Sequence, residues 1–202
     1  MNIRIESCPQ ADVKFHEYAN LFPMMEGEAY KSFVEDVRQN GVREPIVFMG
    51  EAIIDGRNRY MAARDLGIVY PRTEYEGDDP LAFVISHNLN RRHLTESQRA
   101  MVASKLATMR QGSRTDLEHS ESFPEVSQSD AAKLLNVSDR SIRTAKTVQE
   151  QGTPELVAAV ESGKVSVSAA AVIAKQDHDT QRRIVAEDKM KKSVSDLRKA
   201  EQ

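Results

Sequence analysis

The sequence predicts an α+β protein: a small mixed first domain over residues 1–110, an exposed connection over 111–125, and an all-helical second domain over 126–202. Three observations predict this. Two short apolar runs, 45–49 and 52–54, are split by Gly50-Glu51 in the manner of a hairpin, with helical periodicity on either side. A stretch with Gly112, several Ser, Pro124 and the acids Asp116, Glu118, Glu121 and Glu125 then offers little to bury. Beyond it, apolar residues keep a helical period and the segments start at capping residues. No internal repeat and no heptad pattern is present.

Taken in order, residues 31–40 form an amphipathic helix with Phe33, Val34 and Val37 on one face and Gly41 as its stop. Pro45-Ile-Val-Phe-Met49 is a buried strand that turns into Ala52-Ile-Ile54. A helix over 58–66 ends at Gly67, a strand covers 72–75, and Pro80 opens the next helix in its first turn. Thr95-Glu-Ser-Gln98 has the capping-box form and starts a helix ending near Arg110. Further on, Thr153-Pro-Glu155 starts a helix, Ser162-Gly163 ends it, and Ser166 or Ser168 starts another.

Composition narrows the function classes. Of 202 residues, 40% are hydrophobic and 29% charged, as in ordinary globular proteins. Aromatics reach only 5% with no Trp, so the cores should be aliphatic and mostly helical. A net charge of -3 gives no global attraction to nucleic acid, so a DNA-binding face must come from local Lys and Arg. The single thiol, Cys8, excludes an internal disulfide and a Cys-rich zinc site. Residues 1–8, with Arg4 and Glu6, read as neither signal peptide nor membrane span, which makes a cytoplasmic protein the expectation.

The segment with most information is Val126-Ser-Gln-Ser-Asp-Ala-Ala-Lys-Leu-Leu-Asn-Val-Ser-Asp-Arg-Ser-Ile-Arg-Thr-Ala-Lys-Thr-Val148. It fits a helix-turn-helix over 127–149, in which two short helices share a tiny core. Ala131 is small where the helices approach most closely. Ala132, Leu134 and Leu135 form the first apolar face, Val137 plugs the turn, and Ile142 and Ala145 face back. Asn136 suits a turn position with positive φ, and Ser138 is a good N-cap. Gln128, Ser138, Asp139, Arg140, Ser141, Arg143, Thr144 and Lys146 are then the candidate DNA contacts, at or near the part of the second helix that enters a major groove. Arg140 and Arg143 can reach guanine edges or phosphates, and Ser141 and Thr144 can bond either. A plain helical hairpin with a solvated polar face is the alternative.

Two upstream segments carry anion chemistry. Ile53-Ile-Asp-Gly-Arg-Asn-Arg59 runs from a strand through Gly56 into a helix that starts with Arg, where free backbone N–H groups favour an anion. His87-Asn-Leu-Asn-Arg-Arg-His93 closes another helix with an Arg pair. By spacing alone, each reads equally as solvated charge at a helix end.

The order Gly41-Val-Arg-Glu-Pro-Ile-Val47, Ile54-Asp-Gly-Arg-Asn-Arg59, His87-Asn-Leu-Asn-Arg91, then the helix-turn-helix, resembles the ParB/Spo0J-type partition proteins. The resemblance runs from about Lys31 to Leu197 and includes Gly163-Lys-Val-Ser-Val-Ser168 and Ser193-Val-Ser-Asp-Leu197. It implies a ParB/sulfiredoxin-like first domain holding CTP with magnesium, a helix-turn-helix reading a palindromic site in double-stranded DNA, and a nucleotide-closed homodimer on DNA. It also implies a ParA-type ATPase as partner, no membrane, and a place on the nucleoid in the cytoplasm. The chain would act in plasmid or chromosome partition, or in transcriptional control of a mobile element.

Carried over by position, Gly56, Arg57, Asn58, Arg59, Asn88 and Arg91 are the nucleotide-binding candidates, and Asn88 is the metal candidate. Arg57 stands where the family has Glu, Asn58 where it has an Arg, and His87 where it has the Glu that helps hold magnesium. Losing that carboxylate is costly for a hard cation that prefers oxygen ligands. The family usually adds a C-terminal dimerisation domain, for which 202 residues leave little room. Contact between copies is then expected from the first domain, where Leu81, Phe83, Val84 and Ile85 are either ordinary core or part of that contact.

Enzyme readings are narrower. Sulfiredoxin chemistry needs Cys where Arg57 stands, and the only thiol is the distant Cys8. A nuclease wants clustered acids, and Asp55 is the only carboxylate inside the two segments; His87 and His93 read as polar surface. A magnesium-dependent nucleotide hydrolase or nuclease remains as the alternative function, with slow CTP hydrolysis its mildest form.

Overall fold

Apolar strands at 46–49 and 52–55 and side-chain caps at the heads of the six helices between residues 96 and 186 organise the computed structural model, which describes residues 3–7, 13–91, 94–109, 126–187 and 190–200. Cys8, His93 and the expected connection at 111–125 lie outside the described residues. Contacts divide the chain into two units, Met1–Arg91 and Arg92–Gln202.

The first unit holds a five-stranded sheet of order β1-β5-β3-β4-β2. The strands are β1 (Arg4–Glu6), β2 (Lys14–Phe15), β3 (Ile46–Met49), β4 (Ala52–Asp55) and β5 (Tyr70–Glu74). β3 and β4 form the expected antiparallel hairpin, while β3 runs parallel to β5 and β1 antiparallel to it. Ile46, Val47 and Phe48 are all buried, so both faces of β3 are covered, which is why it reads as a continuous apolar run. α1 (Gly27–Asn40), α2 (Arg57–Leu66) and α3 (Pro80–Arg91) complete the unit. α1 starts four residues before the expected Lys31, its first turn carrying Glu28 where the helix dipole favours an acid. Tyr60 of α2 sits edge-on between Phe15 and Tyr70, with centroids at 6.1 and 5.9 Å. Leu81, Val84 and Ile85 are buried, so three of the four residues offered for contact between copies belong to the core instead.

The second unit is helical: α4 (Glu96–Thr108), α5 (Gln128–Leu134), α6 (Asp139–Gln151), α7 (Pro154–Glu161), α8 (Val167–Ile173), α9 (His178–Ala186) and α10 (Met190–Ala200). α4, expected to close the first domain, packs here. Its boundary with the first unit falls at residues 91–92 rather than 110 because Ala100 and Met101 share one core with Ala145, Val148, Leu156 and Ile173. The Thr95–Gln98 capping box forms as expected. Ser127, Ser138, Thr153, Ser166 and Asp177 each cap a helix with a side-chain oxygen. Gln181 is fully buried and joins three segments: it accepts from the Thr153 N–H at 2.8 Å and donates to the carbonyls of Gln151, Ala174 and Gln176. No described helix is long and apolar enough to cross a membrane.

Candidate nucleic-acid interface

α5 and α6 are joined by a tight turn over residues 135–138. Leu135 and Val137 donate their N–H groups to the carbonyls of Ala131 and Ala132 at 3.1 and 3.0 Å, which folds the chain sharply back. Asn136 is the one described non-glycine residue with positive φ, +48°, where Asn is tolerated better than most residues. Ala131, Leu135, Ile142, Ala145 and Val148 are buried, forming the small shared core. Leu134 does not join it. α5 ends at Leu134, the chain turns Leu135 inward instead, and Leu134 remains 42% exposed.

The polar side follows from the caps. Ser127 Oγ accepts from the Asp130 N–H and donates to Asp130 Oδ2 at 2.6 Å. That hydrogen bond, helped by Lys133, holds the Asp130 carboxyl below the usual aspartate range. Ser138 Oγ accepts from the Ser141 N–H at 3.0 Å and fixes the start of α6. From there Asp139, Arg140 and Arg143 are exposed, while Ser141, Thr144 and Lys146 are half-buried. Thr144 donates its hydroxyl to Arg140 O, and Lys146 faces Glu150 at 3.7 Å. Gln128 donates to Asp139 O at 3.2 Å, tying the start of α5 to the start of α6. The sequence candidates of this segment therefore gather on and around the first two turns of α6.

Three contributions escaped the sequence reading. Glu96 of α4 accepts the Ser141 hydroxyl at 3.0 Å, so Ser141 is oriented by a carboxylate. Arg99 of α4 donates to Asn136 O at 3.4 Å and steadies the turn. Gln149 bonds Ser104 and Met101 O at 2.8 and 3.0 Å and locks α6 to α4. A cavity of about 240 Å³ opens among Ser104, Thr108, Ser127, Gln128, Arg143 and Lys146. Arg143 and Lys146 suit an anionic group there, while the hydroxyls of Ser104, Thr108 and Ser127 already donate within the protein.

The upstream anion segment has a different character. Gly56 takes a left-handed conformation with φ +97°, and α2 starts directly after it. Arg57 donates to Asn20 Oδ1 at 2.8 Å and to Phe22 O, with its guanidinium 5.8 Å from the Phe15 centroid. Asn58 Oδ1 accepts from the Met25 N–H at 3.1 Å. Arg59 binds Asp55 Oδ2 at 2.6 Å and Glu44 Oε2 at 2.5 Å, with its side chain only 13% exposed. Arg57, Asn58 and Arg59 thus hold the loop through protein partners, and the Arg59 cation is already balanced by two carboxylates.

On α3, His87 Nδ1 lies 2.9 Å from Phe83 O, and Asn88 Nδ2 donates to Val84 O at 2.9 Å. The Arg91 side chain lies outside the described residues. A magnesium triphosphate fits this unit in part: the positive end of the α2 dipole, behind the left-handed Gly56, favours an anion. Arg59 reaches it only by exchanging a carboxylate. Among the described residues no group of three or more His, Cys, Asp or Glu side chains is placed to hold a metal.

No family model and no curated protein matches the chain. Solved structures do. A pNOB8-like ParB N-domain is 18% identical, with 85% of this chain and 78% of that one covered and a TM-score of 0.49. Caulobacter crescentus ParB complexed with CTP-gamma-S is 18% identical over 93% and 99% of the two chains, with a TM-score of 0.38. The same protein complexed to the centromeric parS site is 20% identical over 88% and 92%, with a TM-score of 0.38. The chain is similar to these ParB structures, at identities of 18 to 20%.

Proposed function

We propose that the second unit is a sequence-specific DNA-binding module of helix-turn-helix type, with α6 as the recognition helix. One observation carries the reading. Arg140 and Arg143 stand exposed one turn apart on α6, and neither has a carboxylate partner among the described residues. The opposite face of α6 is buried through Ile142, Ala145 and Val148, so those two cations point where a duplex can dock. Ser138, Asp139, Ser141 and Thr144 flank them, and Gln128 with Lys146 borders the adjacent polar cavity, which suits a backbone phosphate.

In this reading the chain binds a palindromic site as a homodimer on the nucleoid. It serves plasmid or chromosome partition with a ParA-type ATPase, or transcriptional control of a mobile element. Selection of bound sequences from random duplex DNA tests it, followed by titration at several salt concentrations. An enriched palindrome is expected, with log affinity falling by about 0.9 per phosphate contact for each unit of log salt. Recovery of no preferred sequence would sink the reading.

A second reading concerns the first unit. The left-handed Gly56 ahead of α2 supports a nucleoside triphosphate, CTP with magnesium in the form the motif order implies, at Gly56, Arg57, Asn58, Arg59, Asn88 and Arg91. Asn88 Oδ1 is the oxygen available to a metal there. The hydrolase and nuclease alternatives gain no support from the carboxylates, because Asp55 is spent on Arg59.

A further inference from the structure

Among the described residues β1 is an outer strand of the sheet, paired on one side with β5. The direction of its free hydrogen-bonding groups follows from the ladder. Tyr75 donates its N–H to Phe48 O at 2.7 Å, so that position of the β5 chain faces β3. Alternation then turns Thr73 and Pro71 toward β3, and Arg72 and Tyr70 toward β1. Arg72 is registered with Arg4 and Tyr70 with Glu6, which makes these the hydrogen-bonded pairs of the β1–β5 ladder. Ile5, opposite Pro71, therefore points its own N–H and C=O away from the sheet, into the open edge.

The side chains along this edge are unusual for a surface. Four large hydrophobic side chains are exposed among the described residues: Ile3 at 55%, Ile5 at 68%, Val69 at 56% and Leu134 at 42%. Three of them lie here. Ile5 shares a face with Pro71, and continuing the register puts Ser7 opposite Val69 on that face. The other face carries Arg4 and Glu6. Glu6 reaches Arg72 at 3.4 Å, but Arg4 stands opposite Arg72, a like charge, and has no carboxylate partner among the described residues.

We infer that this edge is an interaction surface for a second copy of the chain, paired antiparallel about a two-fold axis through Ile5. The strand is self-complementary in that register alone. Ile5 faces Ile5 of the other copy as a hydrogen-bonded pair, and Ile3 faces Ser7 likewise, so the outward backbone groups are used. Arg4 then falls opposite Glu6 of the other copy, twice, in the closer non-hydrogen-bonded positions. The isoleucines meet across the seam on one face, and Val69 and Pro71 extend the apolar strip on both sides. Charges on an edge strand ordinarily repel a second strand, but here their alternation in sign makes them match. The contact is isologous, and because the strand is short it is weak. It concerns the first unit only and does not depend on DNA binding by the second.

Sedimentation velocity of the full chain without DNA tests this, from micromolar to about 1 mM, high enough to populate a millimolar dimer. A concentration-dependent dimer is expected. Ile5→Pro removes only the outward N–H, since proline is accepted on an edge strand facing solvent, and should abolish the dimer while leaving the circular dichroism unchanged. Arg4→Glu and Glu6→Arg should each weaken association roughly tenfold, because two attractive pairs become repulsive. An equimolar mixture of those two variants should recover it, since every charged position then faces its opposite. A parent that stays monomeric throughout, or a dimer indifferent to Ile5→Pro, would overturn the proposal. Should Glu6→Arg unfold through loss of its Arg72 contact, Ile5→Pro and Arg4→Glu decide alone.

Discussion

Asp55 Oδ2 and Arg59 Nη2 meet at 2.6 Å across the first turn of α2, with both side chains close to nine-tenths buried. Gly56 lies beneath them at φ +97°, and a Cβ there would come within 2.9 Å of Arg59 Nη2. The left-handed backbone thus disfavours a side chain at position 56, and a Cβ there would press on the guanidinium of the ion pair. Gly56→Ala should cost about 1–3 kcal/mol through the left-handed backbone alone. Asp55→Ala leaves a buried guanidinium with Glu44 only, and should cost about 2–4 kcal/mol. Denaturant unfolding measures both; losses below about 0.5 kcal/mol in each would show that the clasp contributes nothing.

The same clasp governs anion binding. With Asp55 and Glu44 on it, Arg59 offers a phosphate no net charge. The parent should bind CTP with magnesium weakly. Glu44→Gln, which removes the more exposed of the two carboxylates, should tighten binding roughly tenfold. Calorimetry reads this directly. Silence from both proteins at about millimolar CTP would leave the segment a structural device.

For DNA, Arg140→Ala and Arg143→Ala should each lose about 1–3 kcal/mol on the selected site if the side chain reads a base. A phosphate contact would instead weaken selected and random DNA alike and lower the salt slope by about one. Fluorescence anisotropy on both kinds of duplex separates the two. Full retention of binding by both variants, with folding intact, would remove α6 from the interface.

Acid should act on the helical unit through its helix starts. Asp130, Glu155 and Asp177 all have carboxyls held below their ordinary values. The leading causes are the Ser127 hydroxyl for Asp130, the Glu155 backbone N–H for Glu155 and the Thr180 N–H for Asp177. A lowered folded-state value means that the ionised form is preferred in the fold. Stability from these groups is therefore complete above the ordinary carboxylate values of 3.8 and 4.5 and is lost as pH falls below them. Asp177→Asn should flatten that part of the acid-unfolding curve, since Asn still caps but does not titrate. An unchanged curve would exclude the cap as the titrating element.

Local signals were legible wherever the chain answers to its neighbours in sequence. The Thr95–Gln98 capping box, the Ser138 cap, Asn136 in its turn and the hairpin at Gly50-Glu51 all depend on residues a few positions apart. What stayed hidden depends on distant partners. Nothing in Asn58 announces the Met25 N–H, 33 residues away, or in Ser141 the carboxylate of Glu96, 45 away. β1 and β2 are three and two residues long, too short for alternation to register. Leu134 and Leu135 both fit the apolar face of α5, and only the point where the helix stops decides between them.

The placement of α4 changes what the Ser-rich, acidic stretch at 111–125 is. It joins no pair of folding units; it is an insertion inside one, because α4 before it and α6 after it share a core through Met101 and Val148. A protease cut there should leave two fragments that copurify, held by that core. Neither 1–110 nor 126–202 alone therefore carries the whole of that core, since Met101 falls in one piece and Val148 in the other.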